Sequence, residues 1–325
     1  MSKAITRRHA VALGLVTPFI ARGARAQTKF PTGPVTLIVP FPPGASTDVT
    51  FRIMGAKLSE MWKQPVIIDN KGGANGIIAA EAAMRAKPDG HTLLTTSSMT
   101  HAGNPVLYEK LSYDPIRDFE PVTRMSLTPL VMLTHKGLKL KTLAELTALL
   151  KKEPGKHNFG SGAISARVAA ELYRMLAGVD AVHVAYRNNQ LAAPDLNSGA
   201  ISFMVPDLSS AKMILQSGWA DALSITQKAE SPYLPGVPGA DAAGLPGFVF
   251  TTWSAVYAPR GTPKEIVAQL NKDFIAAGTS PAVNEKLLGM GGPMNPTTPE
   301  ELRAFTLSEI EAWRKVVKAA DIRIE

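Results

Sequence analysis

Hydrophobic positions along the chain follow two patterns. Short β-branched runs alternate with longer stretches in which apolar residues recur every three or four positions. Residues 35–39 (VTLIV), 66–69 and 92–96 predict strands, with helices between them at 44–61 and 75–86. This β-α-β-α-β order predicts a parallel sheet with helices on its faces. A second series begins near Leu130. It predicts strands at 131–134, 158–160, 182–185, 201–205 and 222–225, and helices at 143–152, 166–176, 191–197 and 209–216. A last strand is predicted at 253–258, followed by a helix at 263–277 with proline at its start. A long amphipathic helix at 299–319 carries Leu302, Phe305, Ile310, Trp313, Val316 and Val317 on one stripe, as expected for core packing.

Two such series followed by a return predict an α/β protein of two lobes joined by two crossover segments. The crossings fall near residues 128 and 250, so that 27–128 plus 250–325 form one lobe and 129–249 the other. Ligands of open α/β sheets sit outside the carboxyl ends of the strands. Here those ends are the loops after Val39, Thr96, Gly160 and Ala185.

The first 26 residues depart from this pattern. Lys3, Arg7 and Arg8 precede an apolar run from Ala10 to Ala21, and Ala24-Arg25-Ala26 supplies small residues for a signal peptidase. The segment reads as a secretory leader, cleaved before Gln27, with Thr6-Arg7-Arg8 compatible with either the general or the twin-arginine route. The leader carries five basic residues and no acid, which leaves +3 of the net +8. That charge is too mild to imply nucleic acid or an anionic membrane as partner. The chain has no cysteine, so its stability in an oxidising compartment must come from burial rather than disulfides. Periplasmic residence and a monomeric state are expected.

Pro40-Phe41-Pro42-Pro43-Gly44-Ala45-Ser46-Thr47-Asp48 follows the first strand and opens a helix. Gly44 allows close approach of the backbone, and Ser46, Thr47 and the free amides of the helix start could hold an anion. The same residues also make an ordinary turn and cap.

Several segments together resemble the Bug family, the extracytoplasmic receptors of tripartite tricarboxylate transporters. They are PFPPGASTD (40–48), NKGGANGIIAAEAA (70–83), PDGHTLL (88–94), THAGNPVLYEKLSYDPIRDFEPVT (100–123), AAELYRMLAGVDAVHVAYR (169–187), PYLPGVPGADAAGLPGF (232–248) and WSAVYAPRGTPKEIVAQLN (253–271). The resemblance implies a two-lobed, Venus-flytrap periplasmic binding protein of type II-like architecture, without cofactor or metal, that delivers a small carboxylate to membrane permease subunits. It implies that Phe41, Pro43, Gly44, Ala45, Ser46, Thr47 and Asp48 surround a ligand carboxylate. Thr96, Ser97, Ser98, His101 and Asn104 then line the same cleft. From the other lobe it implies Ser161, Gly162, Ala163, Ile164 and Ser165, the Tyr186-Arg187 turn, and Asp207.

Four positions depart from the family pattern. Arg167 replaces a usual His, Asn188 a Gly, Leu191 a Pro, and Pro206 the acid that can hold a ligand amine, with Asp207 one position later. A guanidinium at a helix start opposes the helix dipole but offers a fork for a carboxylate. The expected ligand therefore lacks an amino group and carries a second carboxylate or other acceptor near Arg167, with Arg187 as the alternative partner and a solvent-facing Arg167 as the plain alternative.

Other function classes fit less well. His91, His101, His135, His157 and His183 show no i, i+3 or i, i+4 pair, so no zinc spacing arises. Phe159-Gly160-Ser161-Gly162-Ala163 lacks the Gly-x-Ser-x-Gly elbow of a hydrolase. A sensing subunit that presents ligand to a membrane kinase would need the same module, and the sequence does not separate it from a transport receptor.

Overall fold

The structure is a computed structural model and describes residues 30–290, 292 and 294–322. The expected leader lies outside the described residues. The strands are β1 (Val35–Val39), β2 (Val66–Asn70), β3 (Thr92–Ser97), β4 (Phe119–Pro129), β5 (Val131–His135), β6 (Asn158–Ser161), β7 (Val182–Ala185), β8 (Phe203–Met204), β9 (Ala220–Ile225) and β10 (Thr251–Pro259). The helices are α1 (Ser46–Trp62), α2 (Ile77–Met84), α3 (Asn104–Leu107), α4 (Leu143–Lys152), α5 (Ile164–Ala177), α6 (Asn189–Ser198), α7 (Leu208–Gln216), α8 (Lys264–Thr279), α9 (Pro281–Gly289) and α10 (Pro299–Ala319).

The strands form two five-stranded sheets, ordered β2-β1-β3-β10-β4 and β7-β6-β8-β5-β9. The parallel arrangement expected from the alternation holds for β1 with β2 and β3, and for β6 with β7 and β8. It fails elsewhere. β10 runs antiparallel to β3 and β4, and β5 antiparallel to β8 and β9. The antiparallel strands flank the crossings: a chain arriving from the other lobe enters its new sheet from the cleft end and so runs against the strands already there. The fold is α/β and two-lobed, with mixed rather than parallel sheets.

The two crossings are knitted side by side. Leu130 N donates to Thr226 Oγ1 at 2.8 Å, Thr226 N to Leu130 O at 2.9 Å, and Phe250 N to Thr226 O at 3.0 Å. Each lobe has an apolar layer between its sheet and the helices on one face of it. Val35, Leu37 and Val39 pack on Phe51, Met54 and Leu58 of α1 and Phe274 of α8, while Val131, Leu133 and Met204 pack on Leu196, Leu208 and Ile214. Each such fully buried side chain contributes roughly 1.5–3 kcal/mol. A third layer runs through both lobes, from Leu94, Phe119 and Tyr257 to Phe159, Tyr173 and Phe203. α10 joins it with buried Leu302, Ile310, Trp313, Val316 and Val317, and packs against both β4 and α5. Among the described residues no helix is long and apolar enough to cross a membrane.

Several helix starts satisfy their own backbone. Thr142 with Glu145 caps α4 and Thr298 with Glu301 caps α10, each pair as a reciprocal capping box. Asn188 caps α6 and Asp207 caps α7. α2, α3, α8 and α9 have no side-chain cap; nor do α1 and α5, which begin at Ala45 and Ala163.

Candidate functional site

Those two uncapped helix starts face one cavity of about 670 Å³ between the lobes, within the usual size range of small-molecule sites. Both follow the carboxyl end of a sheet strand, α1 after β1 and α5 after β6. The N–H groups of a first helical turn have no partner inside the helix. At α1 and α5 they are therefore free donors, with the positive ends of two helix dipoles behind them.

The first-lobe wall contains Phe41, Ala45, Ser46 and Thr47, with Ser97 and Ser98 from the end of β3. Gly44 and Pro43 are exposed in the approach to α1 and do not line the cavity. Gly44 has φ of +86°, a conformation open to glycine at no steric cost, and its N–H donates to Asp48 Oδ2 at 2.8 Å. Asp48 itself is buried behind the wall. It accepts from Arg52 Nε at 2.9 Å and from Asn70 Nδ2 at 2.8 Å, and the Arg52 guanidinium above all holds its carboxyl down at about 2. Asp48 therefore shapes the loop and does not line the cavity.

Three more expected residues are buried away from the cavity. Thr96 donates to Ala255 O within the sheet. Asn104 donates to Asn75 O and Tyr113 Oη, both at 3.0 Å, and so supports Asn75, which does line the cavity. His101 sits in a π-helical turn (Met99–Gly103), fully buried with its ring 4.1 Å from that of Tyr257 and 5.2 Å from that of Phe119. Burial pushes its pKa down to about 3. The motif placed it next to cleft residues, but the tight turn aims the ring inward.

The second-lobe wall brings together Ser161, Gly162, Ala163, Ile164, Ser165, Arg167, Tyr186 and Asp207. A Cβ on Gly162 would stand 1.8 Å from the Asn188 carbonyl carbon, so only glycine fits there. Its N–H donates to Asn189 Oδ1 at 2.9 Å. Asp207 is occupied by its capping role, accepting from Ser210 N at 2.9 Å, Ser210 Oγ at 2.7 Å and Asn189 Nδ2 at 3.2 Å. Tyr186 donates its hydroxyl to Asp195 at 2.6 Å. Arg187 is exposed and outside the lining, because the chain turns outward after Tyr186. Arg167 does line the cavity, and its buried Nε makes no hydrogen bond.

The sequence reading missed several lining residues. His183 is one: its Nε2 lies 2.7 Å from Ser161 Oγ, and burial, with Arg167 and Arg174 nearby, pushes the imidazole down to about 4. The neutral imidazole and the Ser161 hydroxyl thus hold each other at the cavity wall. The crossing strands supply Ser126 and Thr128 opposite Ser254 and Thr252, with Ser126 and Ser254 hydroxyls 2.7 Å apart. The alternation of these small polar residues was the available signal. Trp253, Leu287 and Met290 add an apolar wall. The cavity thus offers free amides, hydroxyls and one guanidinium around an apolar middle, a set of donors suited to an anion with a hydrocarbon body.

Residues 50–322 match the model of the tripartite tricarboxylate transporter family receptor. The chain is 33% identical over 318 residues to protein BugT of Bordetella pertussis, covering 97% of each. Among solved structures it resembles R. palustris Rpa4515 with adipate, at 33% identity and a TM-score of 0.78, covering 90% of this chain and 99% of that one. It also resembles MatC (Rpa3494) from Rhodopseudomonas palustris with bound malate, at 32% identity and a TM-score of 0.74, covering 89% and 100%.

Proposed function

The chain belongs to the tripartite tricarboxylate transporter receptor family, and on that premise we propose that it is a periplasmic solute-binding receptor for a small dicarboxylate without an amino group. The leader at 1–26 exports it, the two lobes close about the crossings near residues 128 and 250, and the loaded receptor delivers its ligand to membrane permease subunits. One observation carries the ligand class: two uncapped helix starts face each other across the cavity, and Arg167, with its buried and unpartnered Nε, stands beside the second. One carboxylate fits the amides of Ser46 and Thr47. The other fits the start of α5 and the Arg167 fork. Asp207 is already saturated by donors, which leaves an ammonium group without an obvious acceptor there. Adipate and malate in the similar structures are both dicarboxylates.

Calorimetry on matched acids tests this reading. Adipate is compared with hexanoate and 2-aminoadipate, and malate with 3-hydroxybutyrate and aspartate, on the wild type and on Arg167→Ala. A charged hydrogen bond in a closed cleft is worth roughly 1.5–3 kcal/mol, or about one to two decades of affinity. The wild type is expected to favour a dicarboxylate by that margin and the variant to lose the preference. Equal affinity for mono- and dicarboxylates, unchanged by Arg167→Ala, would overturn the assignment.

A further inference from the structure

α10 grips the crossing strands from behind the cleft. Phe305, Glu309 and Trp313 stand four residues apart and so share one face of the helix. Phe305 meets the Trp253 ring edge-on at 5.4 Å, and the Arg124 guanidinium of β4 lies 4.4 Å above it. Trp313 packs at 5.4 Å against Phe250, just before β10. Between them, Glu309 Oε2 accepts the indole N–H of Trp253 at 3.0 Å. Trp253 is 2% exposed, yet it forms part of the cavity wall. Its side chain alternates along β10 with those of Thr252 and Ser254, which line the cavity, and its N–H lies on a carboxylate of a helix that also packs on α5, the helix whose start forms the opposite wall.

We propose that Glu309 is a positioning residue for ligand capture: by holding the Trp253 indole it fixes the back wall of the cleft, and its ionisation tightens that hold. The inference rests on the reading of the cleft as the ligand site. Burial pushes the Glu309 carboxyl up to about 7, against the pull of Trp253 and Arg124. Of the titratable and charged groups on the elements packed around α10, Arg124 of β4 is the one acting on it; His101 of the π-helical turn stacks on Tyr257 instead, and Glu301 lies beside Arg124. A hydrogen bond to an ionised acceptor is roughly twice as strong as a neutral one. Raising the pH through neutrality therefore strengthens the Trp253–Glu309 bond, and an acid already ionised on both sides of that range should bind more tightly at pH 8 than at pH 6.

The test uses the full mature chain labelled with ¹⁵N-tryptophan, the Trp253 indole signal being assigned by its loss in Trp253→Phe. Titrated from pH 5 to 9, that signal should move with a midpoint near neutrality in the wild type and stay flat in Glu309→Gln. With adipate and malate as probes, the wild-type affinity should rise several-fold from pH 6 to pH 8, and Glu309→Gln should level the difference. A Trp253 signal that does not titrate, or that titrates equally in Glu309→Gln, overturns the proposal. Should the variant fail to fold, the wild-type titration alone still decides. Failure of both acids to bind, with the signal titrating as expected, counts against the ligand class and not against the clasp.

Discussion

α4 and α10 begin with a threonine and a glutamate that satisfy the helix backbone reciprocally, whereas α1 and α5 begin with alanine and leave it open. The two sets differ in where they point. The α4 and α10 starts lie outside the cavity lining and the α1 and α5 starts face the cavity between the lobes; the starts of α2, α3, α8 and α9 also lack a side-chain cap but lie outside the lining. A side-chain cap is worth about 0.5–2 kcal/mol, so α1 and α5 each forgo stability that a single substitution could supply. Sites that violate a local stability rule without compensation inside the fold are where function is expected. An external anion would complete both helices at once.

The two open ends also differ from each other. Behind α1 the charge is already neutralised, since Asp48 is held by Arg52, Asn70 and the Gly44 amide. At α5 a positive charge is retained in Arg167, beside a His183 kept neutral. The α1 end thus offers amides and hydroxyls alone. The α5 end adds charge, and it is the end expected to distinguish ligands.

Capping the open ends is expected to have the largest effect. Ala45 and Ala163 already have extended backbone suited to an N-cap, with φ, ψ of −64°, 153° and −150°, 151°. Ala45→Asp and Ala163→Asp should each raise stability by about 0.5–2 kcal/mol while lowering dicarboxylate affinity at least about tenfold, because the new carboxylate occupies the amides and repels the ligand. Thermal melts and calorimetry on the same samples check both signs. Affinity unchanged in both variants would place the anion elsewhere.

Removing caps at the closed ends should do the reverse. Thr142→Ala and Thr298→Ala are expected to cost about 0.5–2 kcal/mol of stability with dicarboxylate affinity unaltered. A loss of affinity in either one, measured in fully folded protein, would show that the two sets of helix ends are not functionally distinct.

The smallest effect concerns the support behind α1. The Asp48 carboxyl is lowered from 3.8 to about 2, first by its bond to Arg52. A lowered native pKa means that the unfolded chain binds the proton more readily. The stabilisation is therefore complete above about pH 4 and lost as the pH falls toward 2. Denaturant unfolding between pH 2 and 5 should show this acid limb in the wild type and a flatter one in Asp48→Asn. Parallel limbs would remove Asp48 from the account of the loop.

Much of the fold was legible because burial leaves its period in the chain. The β-branched run at β1, the helix α4 and the long stripe of α10 fall at the residues expected. β4 was not, because Pro121 and Pro129 interrupt it and its polar positions alternate toward the cleft instead of forming an apolar run. α9 was missed for its brevity, nine residues directly after α8. The candidate site was legible where motif and backbone coincide, as at Ser46-Thr47 and Gly162–Ser165. It was not legible where it depends on side-chain direction. His101 and Asn104 belong to a cleft-lining segment but turn inward, while His183 reaches Ser161 only because β7 pairs with β6.

The two open helix ends are expected to share one dicarboxylate across the cleft. The most direct measurement is a crystal structure of the protein with a bound dicarboxylate. One carboxylate should lie about 2.7–3.1 Å from the amides of Ser46 and Thr47, and the other should lie at that distance from the start of α5 and the Arg167 guanidinium. A ligand seated in the cleft with neither carboxylate on these amides would contradict the account.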